Sequence, residues 1–330
     1  MSAKAAANKI DMVYLWCDGN EPAFKARREF YGGKKAAKKD NVGCGDGRYH
    51  SNDELRFSLR SVEKFASFVN HVYIVTDRQV PDWLNTNYEK VSIVDHSEII
   101  PKELIPVFNA GAIERHIPYI PNLSEKFLYS NDDMFFGRKV SPEDFFSQGK
   151  PIFRVELSKY DFSKSGDTDV WTPAGVRIVT ENLLKTMYPD NYFSKHYNMH
   201  HNIDPYTKTC FIQTLERYKF HLAECNKNRF RRNNDIDRTL FALDAVFSGL
   251  GILKVVSNPK PWRRCLHFLK DVEWESYVAF DDTYKWYKEL FKFRPKFFCI
   301  NAGYNTTKED KIKAREILEK YFPEKSKFEL

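Results

Sequence analysis

The chain lacks the marks of several protein classes. Its six cysteines, at 17, 44, 210, 225, 265 and 299, form no Cys-x-x-Cys pair, which argues against a zinc site. No apolar run approaches the roughly 20 residues that a membrane-spanning helix needs. Met1 to Lys9 is polar and Ala-rich, without the apolar centre of a secretory signal, and reads as a disordered tail. Together these absences predict a cytoplasmic protein with reduced thiols. A Walker-type phosphate loop and any nucleic-acid-binding motif are also missing. So are internal repeats and low-complexity segments.

What is present fits one large α/β unit of 330 residues, 42% hydrophobic and 29% charged. Aromatics reach 15%, which suits a Phe-rich core and also a carbohydrate-binding surface. The net charge is +7, with basic clusters at Lys25–Lys39 and Lys227–Arg232. Without a nucleic-acid motif, this surplus points first to an anionic substrate. Attraction to an anionic membrane surface comes second.

The sharpest pattern is a set of short apolar runs that stop at an acid. Ile10–Cys17 is followed by Asp18-Gly19, His71–Thr76 by Asp77, and Val91–Val94 by Asp95-His96. Lys126–Phe136 reads as a strand carrying Asn131-Asp132-Asp133. Such runs suit buried strands of a largely parallel sheet, because helical patterns lie between them. Ligands of such sheets bind outside the carboxyl ends of the strands, so these acids are brought toward one rim. Adjacent buried carboxylates call for a cation, and hard cations such as magnesium or manganese take oxygen ligands. Each acid could instead cap the helix that follows it.

The expected fold is a mostly parallel, Rossmann-like (GT-A-like) sheet core with a helical C-terminal portion. Residues 10–150 would form the α/β core that carries the ligand-binding rim. Residues 151–330 would be helix-rich and complete the site. Asn20–His50, with Gly32-Gly33 and further glycines among lysines, reads as a mobile loop. Ser51 with Glu54 three residues on fits a capping box for a helix to about Phe68. Asn109–Ile120 reads as helical, as do 173–187, 205–225, 235–250, 273–291 and 308–321. Asp204-Pro205 would open the second of these five. His200 and His201 just upstream are too close in sequence for a paired zinc site. Arg229, Arg231 and Arg232 precede the third, and arginines grip phosphate through paired hydrogen bonds.

These segments together resemble the Stealth family, which transfers hexose-1-phosphates in the synthesis of bacterial capsules and cell-surface polysaccharides. The family also includes the animal enzyme that adds N-acetylglucosamine-1-phosphate to lysosomal glycoproteins. The likeness runs in four blocks: Ile10–Gly19; Asn52–Glu63 through Thr76-Asp77 to Asn131-Asp132-Asp133; His200–Asp204 with Arg229–Ile236; and Phe298–Asn301 with the chain's end. The family commonly has an acid after the Asn of the fourth block, and Ala302 stands there in this sequence.

The resemblance implies transfer of a hexose- or N-acetylhexosamine-1-phosphate from a UDP-sugar to a hydroxyl of a glycan or lipid-linked oligosaccharide, with UMP leaving. It implies that Asp132 and Asp133, with Asn131 and Asn301, hold Mg2+ or Mn2+ on the diphosphate. Arg231, with Arg56 or Arg60, would offset charge on the phosphoryl oxygens. His200 or His201 is the expected base, with Asp18 or Asp77 as alternatives. Asp18, Gly19 and the Arg56 helix would meet the mononucleotide, with Asp53, Arg60, Asp77 and Asn109 also in donor-binding positions. Two rivals use the same residues differently. A metal-dependent glycosyltransferase would release UDP, and a glycan-binding protein would release nothing.

Overall fold

The computed structural model describes residues 9–36, 49, 51–157, 171–191, 196–256, 275–280, 286–301 and 306–330. Met1–Asn8, part of the expected loop at 37–48, and Ala302 lie outside the described residues.

Four apolar runs form parallel strands: β1 (Ile10–Leu15), β2 (Val69–Thr76), β3 (Val91–Asp95) and β4 (Lys126–Asn131). Their order is β3-β2-β1-β4, and β9 (Asp204–Thr207) adds antiparallel to β4. Successive side chains point to opposite faces, so each strand feeds two cores. Val13, Val75 and Phe127 fill one, and Met12, Ile74 and Leu128 fill the other. Helix α2 (Glu54–Phe65) covers the second face with Leu55, Leu59 and Val62, spaced as one helical stripe. The buried Tyr14 hydroxyl lies 2.7 Å from Ser58 on that helix. Asp11, fully buried within β1, is satisfied by the Asn70 amide at 2.8 Å and the Ser124 N–H at 2.7 Å.

The acid-bearing segment is two strands, not one. Asp132-Asp133 breaks it, and β5 (Met134–Phe136) leaves to pair antiparallel with β12 (Phe297–Asn301). Parallel to β12 lies β11 (Ser276–Phe280). The Ile300 N–H donates to the Asp133 carbonyl at 3.1 Å, which fixes Asn301 beside the acids. A second small sheet joins β6 (Phe146–Ser147), β7 (Lys150–Leu157), β8 (Tyr197–Met199) and β10 (Ile252–Val255). Around these pack α5 (Pro173–Met187), α6 (Lys208–Arg217), α7 (Lys219–Asn226), α8 (Thr239–Phe247), α9 (Trp286–Phe293) and α10 (Lys308–Tyr321). No described helix is long and apolar enough to cross a membrane.

Several local expectations are corrected. Within Asn20–His50, Pro22–Ala36 forms helix α1. Pro22 suits a first helical position, and the Glu21 carboxylate accepts the Phe24 N–H at 3.0 Å. These start signals outweigh Gly32-Gly33, each of which weakens a helix by about 1 kcal/mol. Ser51 does not cap α2. Asp53 takes the position before Glu54, in the left-handed region at φ 63°, without a side-chain cap bond. Asp204-Pro205 does not open a helix, because β4 captures it as a strand and the helix starts at Lys208. Proline is tolerated there because β9 ends the sheet. In the helix expected at 273–291, the described residues form strand β11 and the start of α9, since Ser-Tyr-Val-Ala-Phe finds a strand partner in β12; 273–274 and 281–285 lie outside the described residues. Only Ala110–Glu114 (α4) and a 3-10 turn at Ile117–Tyr119 form within Asn109–Ile120.

Candidate active site

In the order β3-β2-β1-β4 the chain reverses its direction of growth at β1, so a crevice opens between the carboxyl ends of β1 and β4. A cavity of about 230 Å³ lies there. Trp16 and Cys17 after β1 line it, and so do Asn131, Asp132 and Asp133 after β4. Asn301 arrives from β12, Glu54 from the start of α2, and Asp77 from the end of β2. Helix α3 (His96–Ile99) contributes His96. His201 and Arg231 reach the cavity from the loops before β9 and α8. Arg231 is also stacked on Trp171, 5.0 Å from its ring centre. Phe24, Tyr49 and Phe108 form an aromatic wall, with Phe24 edge-on to Phe108 at 5.6 Å.

The charged end of the cavity holds three carboxyl groups that do not relax one another. Burial raises the Asp132 carboxyl well above its ordinary range, and the charges of Glu54 and Asp133 raise it further. Burial likewise pushes Glu54 up to about 7, against the lowering effect of the Asn52 N–H that its carboxylate accepts. One Asp133 oxygen accepts the Cys299 thiol at 3.4 Å. Burial raises the Cys299 thiol well above its ordinary range, so it remains the donor. The Tyr129 hydroxyl donates to the Glu114 carboxylate at 2.7 Å and lies 2.9 Å from the Asn131 side-chain oxygen, which ties Asn131 to this network.

Among the described residues, no three His, Cys, Asp or Glu side chains are grouped to hold a metal ion. The donors here are all oxygen, and magnesium is commonly held by one or two carboxylates with substrate phosphate and water completing its shell. The residues fit that mode. Burial, and then the repulsion of Glu54 and Asp133, raise Asp132, and a bound cation would offset that strain.

Of the residues expected from sequence, Asp132, Asp133, Asn131, Asn301, His201 and Arg231 meet at this cavity. Asp77 lines it too, but its carboxylate is held by Arg27 at 3.1 Å. The others do not line it. Asp18 folds back to accept the Asn20 N–H at 2.9 Å, and Gln79 brackets its main chain. Gly19 packs against the Tyr49 main chain so closely that a Cβ would collide with it, so its role is steric. Asp95 caps α3 in a capping box with Glu98.

Asp53 pairs with Arg315 at 2.8 Å. Arg60 grips Glu329 with a two-pronged contact at 2.8 and 2.7 Å, and Arg56 lies 3.4 Å from the same carboxylate. These arginines anchor the chain's end. Asn109 is buried against the Asn228 carbonyl and Asp235. His200 is buried beside Ser276, with Nδ1 3.1 Å from its hydroxyl, and burial lowers its pKa to about 4. Of the two histidines proposed as base, only His201 lines the cavity.

Sequence reasoning missed Glu54 and His96 as cavity residues. Glu54 stands three residues after Ser51 and so reads as a capping glutamate. His96 follows a strand-ending acid, and nothing in the one-dimensional pattern shows which way its ring turns.

Known proteins place the chain. Residues 8–36 match Stealth protein conserved region 1, and residues 48–153 match conserved region 2. The capsular polysaccharide phosphotransferase WcwK of Streptococcus pneumoniae is 32% identical, over 98% of this chain and 100% of that protein. The receptor polysaccharide phosphotransferase WefC of Streptococcus oralis is 31% identical, again over 98% and 100%. Among solved structures, the galactosyltransferase LgtC in complex with donor and acceptor sugar analogues aligns over 94% of this chain and 95% of its own. Its TM-score is 0.46 at 10% identity, too distant to carry an argument. The full-length likeness is decisive: the chain belongs to the Stealth family of phosphotransferases.

Proposed function

We propose that the cavity binds a UDP-sugar and transfers its hexose- or N-acetylhexosamine-1-phosphate to a glycan hydroxyl, releasing UMP. The polysaccharide phosphotransferases it resembles support the reaction class. The observation that carries the reading is the cavity at the β1–β4 crevice. It joins Glu54, Asp132 and Asp133 to Arg231 and His201, beside an aromatic wall.

The acceptor oxygen attacks the sugar-side phosphorus. The bond from that phosphorus to the bridging oxygen breaks, UMP leaves with that oxygen, and a phosphodiester remains. Phosphoryl transfer of this kind depends on positioning and on charge stabilisation. Arg231 offsets charge on the phosphoryl oxygens. Asp132 and Asp133 would hold Mg2+ or Mn2+, which would neutralise the diphosphate and the developing charge. Glu54, its carboxyl raised to about 7, takes the acceptor proton. His201 orients the acceptor at the cavity.

Lipid-linked acceptors would bring the enzyme to a membrane face. Helix α1 supports this with Phe30, 81% exposed, and the exposed Lys25. Loss of sedimentation with anionic vesicles on Phe30→Glu is expected, and unchanged sedimentation would remove this contact.

The reaction is tested by product analysis with UDP-hexoses or UDP-N-acetylhexosamines, magnesium and glycan acceptors. Acceptor-dependent, chelator-sensitive UMP is expected. UDP as product would make the enzyme a glycosyltransferase instead.

A further inference from the structure

His96 is 6% exposed and lines the cavity, yet its Nδ1 is buried without a hydrogen-bond partner among the described residues. Buried polar groups are nearly always paired, so an unpaired one needs an explanation. An ordinary core histidine would hydrogen-bond a neighbour, as His116 does with the Ala112 carbonyl at 2.9 Å. The charge of Asp77 acts on His96, but no hydrogen bond joins them, and Arg27 holds that acid: Nε reaches its carboxylate and Nη2 its main-chain oxygen, each at 3.1 Å. Asp95, on the preceding residue, is committed to capping α3. Among the described residues neither ring nitrogen is hydrogen-bonded; Nδ1 is fully occluded, and Nε2 is the nitrogen left to meet a ligand in the cavity.

Its place in the sheet suggests what it meets. His96 follows β3, and the acid pair follows β4, three strand positions away in the order β3-β2-β1-β4. At roughly 4.8 Å per strand that separation is about 14 Å. A diphosphate held at Asp132 and Asp133 would put its nucleoside over β1 and β2, against Phe24, Tyr49 and Phe108, and pointing toward β3. Burial lowers the His96 pKa to about 4 despite the opposing charges of Asp77 and Asp95, while His116 and Arg27 lower it further. A neutral imidazole has one donor and one acceptor nitrogen, which matches a ribose hydroxyl or a base edge and has no charge to attract phosphate.

We propose that His96 is a specificity-determining residue that hydrogen-bonds the nucleoside half of the donor. This rests on the reading that the donor is a nucleoside diphosphate sugar.

The test is calorimetric binding of UDP and of inorganic pyrophosphate, each with magnesium, to the wild type, His96→Phe and His96→Asn. Phe keeps the ring's bulk without its nitrogens, and Asn keeps a donor and an acceptor. His96→Phe is expected to bind UDP about tenfold more weakly and pyrophosphate as the wild type does, with partial recovery in His96→Asn. Unchanged pyrophosphate binding also shows that the variant is folded. Equal losses for both ligands, or no loss for either, would overturn the role of His96 while leaving nucleotide binding intact. A wild type that does not bind UDP would overturn the donor reading and this inference with it.

Discussion

Glu54→Gln should make the protein more stable and much less active. The substitution keeps the side chain's shape, and the glutamine carbonyl can still accept the Asn52 N–H. Glu54 rises from 4.5 to about 7 on folding, chiefly through burial. Where an acid's pKa is raised, the fold is not penalised below the unfolded pKa, since the group is neutral in both states. The penalty grows as pH climbs from about 4.5 and is complete above about 7. At about 1.4 kcal/mol per tenfold, its ceiling is about 3 kcal/mol, and water in the open cavity screens part of it. Denaturant melts at pH 4 and pH 8.5 would read this directly. Glu54→Gln should match the wild type at the lower pH and exceed it at the higher. In wild-type kinetics, kcat/KM should rise with pH up to about 7 as Glu54 ionises. The variant should lose that limb and fall on the order of 10²–10⁴-fold in rate, the typical contribution of a general base. A variant within about tenfold of wild type, with the pH limb intact, would refute the role of Glu54 as base. Identical melts at both pH values would refute the strained carboxyl cluster.

Four further variants test the same geometry. Asp132→Asn should abolish magnesium-dependent binding of UDP and leave a folded protein, because it removes one ligand and one source of repulsion; metal-dependent binding that survives would move the metal elsewhere. His201→Ala should lower turnover by more than about tenfold with stability unchanged, through lost orientation of the acceptor. His200→Ala should mainly destabilise, since it removes a buried ring from Ser276; the reverse pattern in a paired assay of rate and melting would exchange the two roles. Arg60→Ala should destabilise by about 3 kcal/mol by leaving the buried Glu329 carboxylate without its two-pronged partner, with nucleotide affinity unchanged. Weakened UDP binding in calorimetry without a loss of stability would instead return Arg60 to the donor site.

Part of the site was legible in the sequence because it depends on strand ends. An apolar run closed by Asn131-Asp132-Asp133 implies a buried strand delivering acids to the rim. The structure puts those acids at the crevice beside β1. His201 and Arg231 were recognisable from the blocks shared with the family. Asp18, Asp95, Asn109, Arg56 and Arg60 show the limit of that logic. Each has the residue type a site needs, but an Asx turn, a cap, a buried amide network and the Glu329 side-chain carboxylate claim them instead.

The sequence by itself determined the parallel strands, the acid pair at the end of β4 and the helices at 173–187 and 308–321, because these follow from local periodicity and capping. Pairing between distant segments was decided only in three dimensions. It turned Asp204-Pro205 into a strand beside β4 and brought Asn301 to Asp133 across β5 and β12. It also brought Glu54 to Asp132 and left His96 at the cavity without a hydrogen-bond partner among the described residues. Residue type sets what a side chain can do, while its direction and neighbours come from contacts far apart in the chain, which no local pattern encodes.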